Sequence, residues 1–109
     1  MSYNEVLAQH IREELGLFAG LVEKKMFGGI GFLVNGNMAC GVHGENLIVR
    51  VGPGNHEKAL AQVHVRPFDL TGRSMTGWVE VEPPGYAAEN DLKDWVRQGL
   101  TFALTLPAK

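Results

Sequence analysis

Apolar and polar positions along this chain change period several times, and each change marks an element. Leu7, Ile11, Leu15 and Phe18 recur at spacings of four, four and three, which puts them on one face of a helix. The pattern predicts an amphipathic helix over 3–18, capped by Ser2 or Asn4 and ended by Gly16 or Gly20. A strand is expected over 22–27, and its charged centre, Glu23-Lys24-Lys25, suits an exposed sheet edge. Gly28-Gly29 then permits a bend or bulge before a strand over 30–34.

Asn35-Gly36 is a strong hairpin signal, because both residues tolerate the positive φ of a tight type I′ turn. With those two residues as the turn, Leu33 faces Met38, Phe32 faces Ala39 and Gly31 faces Cys40. A second tight turn at Gly44-Glu45 pairs Val42 with Leu47 and Cys40 with Val49. Alternation then defines two faces. Leu33, Met38, Cys40, Val42, Leu47, Val49 and Val51 form the core face. Ile30, Phe32, Val34, Ala39, Gly41, Ile48 and Arg50 form a second face too apolar to be simply wet. A helix, the C-terminal segment or another subunit is expected to cover it.

Gly52-Pro53-Gly54 breaks the sheet, and a short helix is expected over 55–62. An irregular stretch over 66–77 leads to a strand over 78–81, ended by Pro83-Pro84-Gly85. Leu92, Trp95, Val96, Gly99, Leu100 and Ala103 stripe a last helix over 89–105, with Pro107 beyond it. At 109 residues this is one domain, residues 1–109, long enough to bury a core without staples.

Composition narrows the function. No run approaches the ~20 apolar residues of a membrane span, and the N-terminal MSYNEVLAQHIREE is polar and acidic, unlike a signal peptide. A single cysteine, Cys40, has no internal disulfide partner and fits a reducing, cytoplasmic setting. Ten basic against 12 acidic residues give a net charge of −2, which argues against a dedicated nucleic-acid binder.

Candidate chemistry is sparse. Cys40 and His43 suggest a thiol–imidazole pair, but the register sends them to opposite faces, so Cys40 reads as a small buried hydrophobe. His10, His43, His56 and His64 lack ligand spacing, so no metal is expected. Gly28, Gly29 and Gly31 precede a strand rather than a helix, and Gly52-Pro53-Gly54-Asn55 lacks a P-loop lysine; turn chemistry accounts for both groups. Arg50, Arg66 and Arg73 have two readings. They line a groove for a carboxylate, a phosphate or an acidic partner, or Arg66, Asp69 and Arg73 pair internally while Arg50 snorkels at the sheet edge. Trp95 belongs to the helical stripe; Phe32 and Met75 are the better candidates for a contact surface.

The phrases EKKMFGGIGFLVNGNMACGV (23–42), LIVRVGP (47–53), RPFDLTGRSMTGWVEV (66–81) and DLKDWVRQGLTFALTLP (91–107) occur in this order along nearly the whole chain. Together they resemble the TfoX N-terminal domain family. The resemblance implies an α+β fold, an antiparallel sheet flanked by helices in the order α-β-β-β-β-α-β-α, similar to the type III secretion chaperone fold. It also implies kinship with regulators of natural competence, which act with a cyclic-AMP-responsive activator and carry a second, C-terminal domain. The sequence in hand ends at Lys109, and the resemblance covers the N-terminal domain alone.

The expectation is a non-enzymatic regulatory or adaptor domain, without cofactor, that acts by protein–protein contact and forms a homodimer. A nucleic-acid-associated factor using Lys24, Lys25 and the arginines is the first alternative, although direct nucleic-acid contact is not expected at this net charge. A small anionic-ligand binder using an arginine-lined groove is the second.

Overall fold

A computed structural model describes residues 3–16, 20–26, 28–69 and 74–108. The expected residues Ser2, Phe18, Phe27, Gly72 and Arg73 lie outside these. The fold is α+β. Helix α1 (Glu5–Leu15) precedes strands β1 (Leu21–Met26), β2 (Gly29–Val34), β3 (Asn37–His43) and β4 (Asn46–Arg50). A 3-10 turn, Pro53–Asn55, leads into helix α2 (His56–Leu60). Strands β5 (Val65–Asp69) and β6 (Ser74–Val81) and helices α3 (Pro83–Tyr86) and α4 (Glu89–Leu104) complete it. The six strands form one antiparallel sheet in the order β1-β2-β3-β4-β6-β5.

The predicted elements appear in their predicted order. The start of α1 is capped as expected, with the Asn4 side chain accepting from the Leu7 N–H at 3.0 Å. Asn35 and Gly36 have φ of 53° and 83°, the paired left-handed residues of a type I′ turn. Two elements are additional. Most of the 66–77 stretch read as irregular is strand, and Pro67 sits in β5 at the sheet edge, where its missing N–H is tolerated. Helix α3 forms where the two prolines supply pre-set φ at a helix start.

The β2–β3 register differs from simple alternation. Leu33 pairs with Met38 as expected, but Phe32 pairs with Cys40 and Gly31 with Gly41. Ala39 is therefore the extra residue of a β-bulge. The bulge corrects both predicted faces. Ile30 and Phe32 join Cys40, Val42, Leu47, Val49 and Val51 in the main core, and Val34 and Ala39 pack beside them against Ala103 of α4. Leu33 and Met38 go to the other face, with Ile48. The cover foreseen for Ile30, Phe32 and Val34 is thus the chain's own helices.

Leu7, Ala8, Ile11 and Leu15 of α1, Ala59 of α2, and Leu92, Trp95 and Val96 of α4 close the core on this side. Asn37, 1 % exposed, donates to the Pro107 carbonyl at 2.9 Å and ties the chain end to the start of β3. Helix α4 reaches the sheet backbone at Gly99, where a Cβ would overlap the Ala39 carbonyl oxygen. Gly-to-Ala in a helix interior normally gains ~1 kcal/mol. Here Gly99→Ala should destabilise, by ~1–3 kcal/mol from overpacking, and thermal unfolding followed by circular dichroism should show a lower Tm than wild type.

Candidate partner-binding surface

The sheet face opposite the helices is built from alternate residues of every strand. Met38, Ile48 and Phe68 form its buried centre, and Met26, Leu33, Met75 and Trp78 pack around them half-buried. No described helical residue joins this cluster. Every methionine after Met1 lies in it. Gly31 and Gly41 give the platform its shape, since a Cβ on either would meet the Met38 methyl.

Charged side chains border the apolar patch. Arg50, at the end of β4, holds its guanidinium 4.9 Å from the Trp78 ring centroid and 5.5 Å from that of Phe102. Such contacts contribute ~0.5–2 kcal/mol each. Burial pulls the Arg50 guanidinium below its ordinary value. Among the described residues no carboxylate lies within ion-pair distance of it.

Glu80, 7 % exposed, is the one buried carboxylate among the described residues. Its Oε2 accepts from Asn46 Nδ2 at 2.7 Å and stands 3.7 Å from His43 Nδ1, while Arg66 Nε approaches Oε1 at 3.4 Å. This network spans β3, β4, β6 and β5 and satisfies a charge that would otherwise be expensive to bury. Lys24 shares this face, because it lies opposite Gly31. The face therefore carries Lys24, Arg50 and Arg66 against Glu80, on a chain of net charge −2.

The predicted site residues separate accordingly. Arg50 and Met75 belong to this surface. Arg66 borders it but pairs with Glu80, so the expected internal pairing to Asp69 is replaced. Arg73 lies outside the described residues. Phe32 is fully buried on the helix side, a correction that follows from the bulge and removes it from any contact surface. Trp95 is core, as its helical stripe predicts, and its indole N–H donates to the Gly85 carbonyl. His56 is more than a surface histidine: its Nδ1 accepts from the Gly77 N–H at 2.9 Å, fastening α2 to β6.

Sequence reasoning missed Leu33, Met38, Phe68 and Glu80 as members of this face. The bulge hid the first two. Phe68 was hidden by Pro67, which weakens a strand signal although an edge strand tolerates it. For Glu80 it was the alternation Trp78-Val79-Glu80-Val81, which places the carboxylate beside Trp78's face.

An antiparallel sheet with helices on one side, and on the other an apolar, basic-rimmed platform that no described helix covers, defines a small α+β module. A family model described as the TfoX N-terminal domain matches residues 13–103, and the chain belongs to that family. No curated protein and no solved structure matched the chain.

Cys40 is fully buried, and burial pushes its thiol up to about 12 from an ordinary 9.0. It is no nucleophile in the folded state. Two outcomes follow. Thiol reagents at pH 8 should label Cys40 only as fast as the protein unfolds. Well below pH 9 the thiol is neutral in both states; as pH rises through 9 the unfolded chain ionises first, so this group lowers stability as pH climbs toward 12. Cys40→Ala should flatten that part of the pH–stability curve, read by denaturant titration at successive pH values.

Proposed function

We propose that this domain is a non-enzymatic regulatory or adaptor module that works by protein–protein contact through its open sheet face. The carrying observation is the platform of Met26, Leu33, Met75 and Trp78 over buried Ile48 and Phe68, without a helix across it among the described residues. Methionine and aromatic side chains supply adaptable, strongly binding contact area. The Arg50 guanidinium, which no described carboxylate pairs and which lies against the Trp78 and Phe102 rings, offers a fork for a partner carboxylate. The partner suited to this face is an acidic protein segment with apolar anchors. The role is competence-regulator-like, in keeping with the proteins for which the family is named, and the setting is the cytoplasm, where Cys40 stays a thiol.

Photo-crosslinking residues placed in living cells test this. Substitution at Met75 or Leu33 should give discrete protein adducts, whereas substitution at Val63, 76 % exposed on the α2–β5 connection, should give none. Met75→Glu should suppress adducts formed from Leu33 by about tenfold, the loss expected from placing a charge in an apolar contact. Salt-sensitive adducts to nucleic acid, or equal protein adducts from Val63, would contradict the reading.

A further inference from the structure

We propose that strand β1 is a self-association edge, at which two copies pair antiparallel and extend the sheet from six strands to twelve. This does not rest on the docking reading above, because it uses the sheet's rim rather than its open face.

β1 is an outermost strand whose six residues all pair with β2 alone. Among the described residues no backbone hydrogen bond reaches its other side, the condition under which an edge strand can template a further one. The opposite edge is a poor template: β5 carries Pro67, and its register is broken between Pro67 and Asp69. Cross-strand neighbours share a face, so pairing with β2 assigns each side chain of β1. Glu23 and Lys25 lie opposite the core residues Phe32 and Ile30, on the helix side. Val22 and Lys24 lie opposite Leu33 and Gly31, on the open side, where Met26 also packs.

A two-fold pairing must match residues of the same face, which leaves few registers. Centred on Glu23, it sets Glu23 against Glu23, Val22 against Lys24 and Leu21 against Lys25. Centred on Lys24, it sets Glu23 against Lys25 twice and Val22 against Met26 twice. The second register joins opposite charges on one face and apolar side chains on the other. It covers Val22, which is 56 % exposed in the single chain. Among the described residues Glu23 uses only Oε2, for Arg12 Nε at 2.7 Å, which leaves Oε1 for a Lys25 of the second copy. The cost of this register is Lys24 facing itself on the axis. One strand pair buries much less than a standard stable interface, so the dimer is weak and concentration-dependent.

Sedimentation equilibrium across concentration is the test. Wild type should dimerise at about 100 μM, the range expected of so small an interface. Lys25→Glu and Glu23→Lys should each weaken the homodimer roughly tenfold, since each turns two attractive cross-strand pairs repulsive. Mixing these two variants should restore association to near the wild-type level. In the mixed dimer the retained Glu23 of one copy meets the retained Lys25 of the other, and the two introduced side chains meet as a second pair of opposite charge. Lys24→Thr should tighten the dimer several-fold by removing the axial repulsion. Lys25→Glu touches no described ion pair, so it keeps the test readable even where Glu23→Lys unsettles the contact with Arg12. A wild type that stays monomeric overturns the proposal. A dimer indifferent to both charge reversals, or a mixture that fails to associate, also overturns it.

Discussion

Everything distinctive in this molecule depends on one extra residue in β3. Ala39 has no partner of its own across the hairpin, so the strand passes Cys40, not Ala39, to Phe32. A residue slip moves every later side chain to the other face. Here it gathers Ile30, Phe32 and Val34 under the helices with Cys40 and Val42, and leaves Leu33 and Met38 on the far side. Ala39 is also where α4 comes onto the sheet backbone, over the bare Cα of Gly99. A single irregularity thus aligns the core, seats the last helix and creates the open face.

Much of the architecture was legible before the structure. The 3.6-residue stripes located α1 and α4, and Asn35-Gly36 located the hairpin and the start of its register, Leu33 opposite Met38. The second hairpin followed in full, with Val42 opposite Leu47 and Cys40 opposite Val49. The bulge was not legible, because a period-two pattern that is apolar on both faces reads equally well in either phase. β5 was obscured by Pro67 and Arg66, residues that weaken a strand signal yet are tolerated at a sheet edge. The candidate face was legible only in part. Arg50 and Met75 stood out by type and lie on it, but Phe32 was assigned to the wrong face because the extra residue in β3 was not foreseen.

The two sides of the sheet divide the physical work. On the helix side, burial dominates: Phe32, Val42, Leu47 and Val79 are fully covered, each contributing ~1.5–3 kcal/mol over exposure. On the open side, the placement of charge matters more. Glu80 is neutralised by Arg66 and bonded by Asn46, which pins the two-strand extension β6–β5 to β4. Arg50 instead rests its charge on two aromatic faces.

The division of side chains by the Ala39 bulge is tested most directly by nuclear Overhauser contacts from labelled methionine methyl groups. The Met38 methyl should show contacts to Ile48, the Phe68 ring and the Met26 methyl, and none to Trp95 or Leu100 of α4. A soluble paramagnetic agent should broaden Met75 and Met26 well before Met38, which is 9 % exposed. Contacts from Met38 to α4 would mean that the hairpin continues without the bulge, and the open platform as described would not exist.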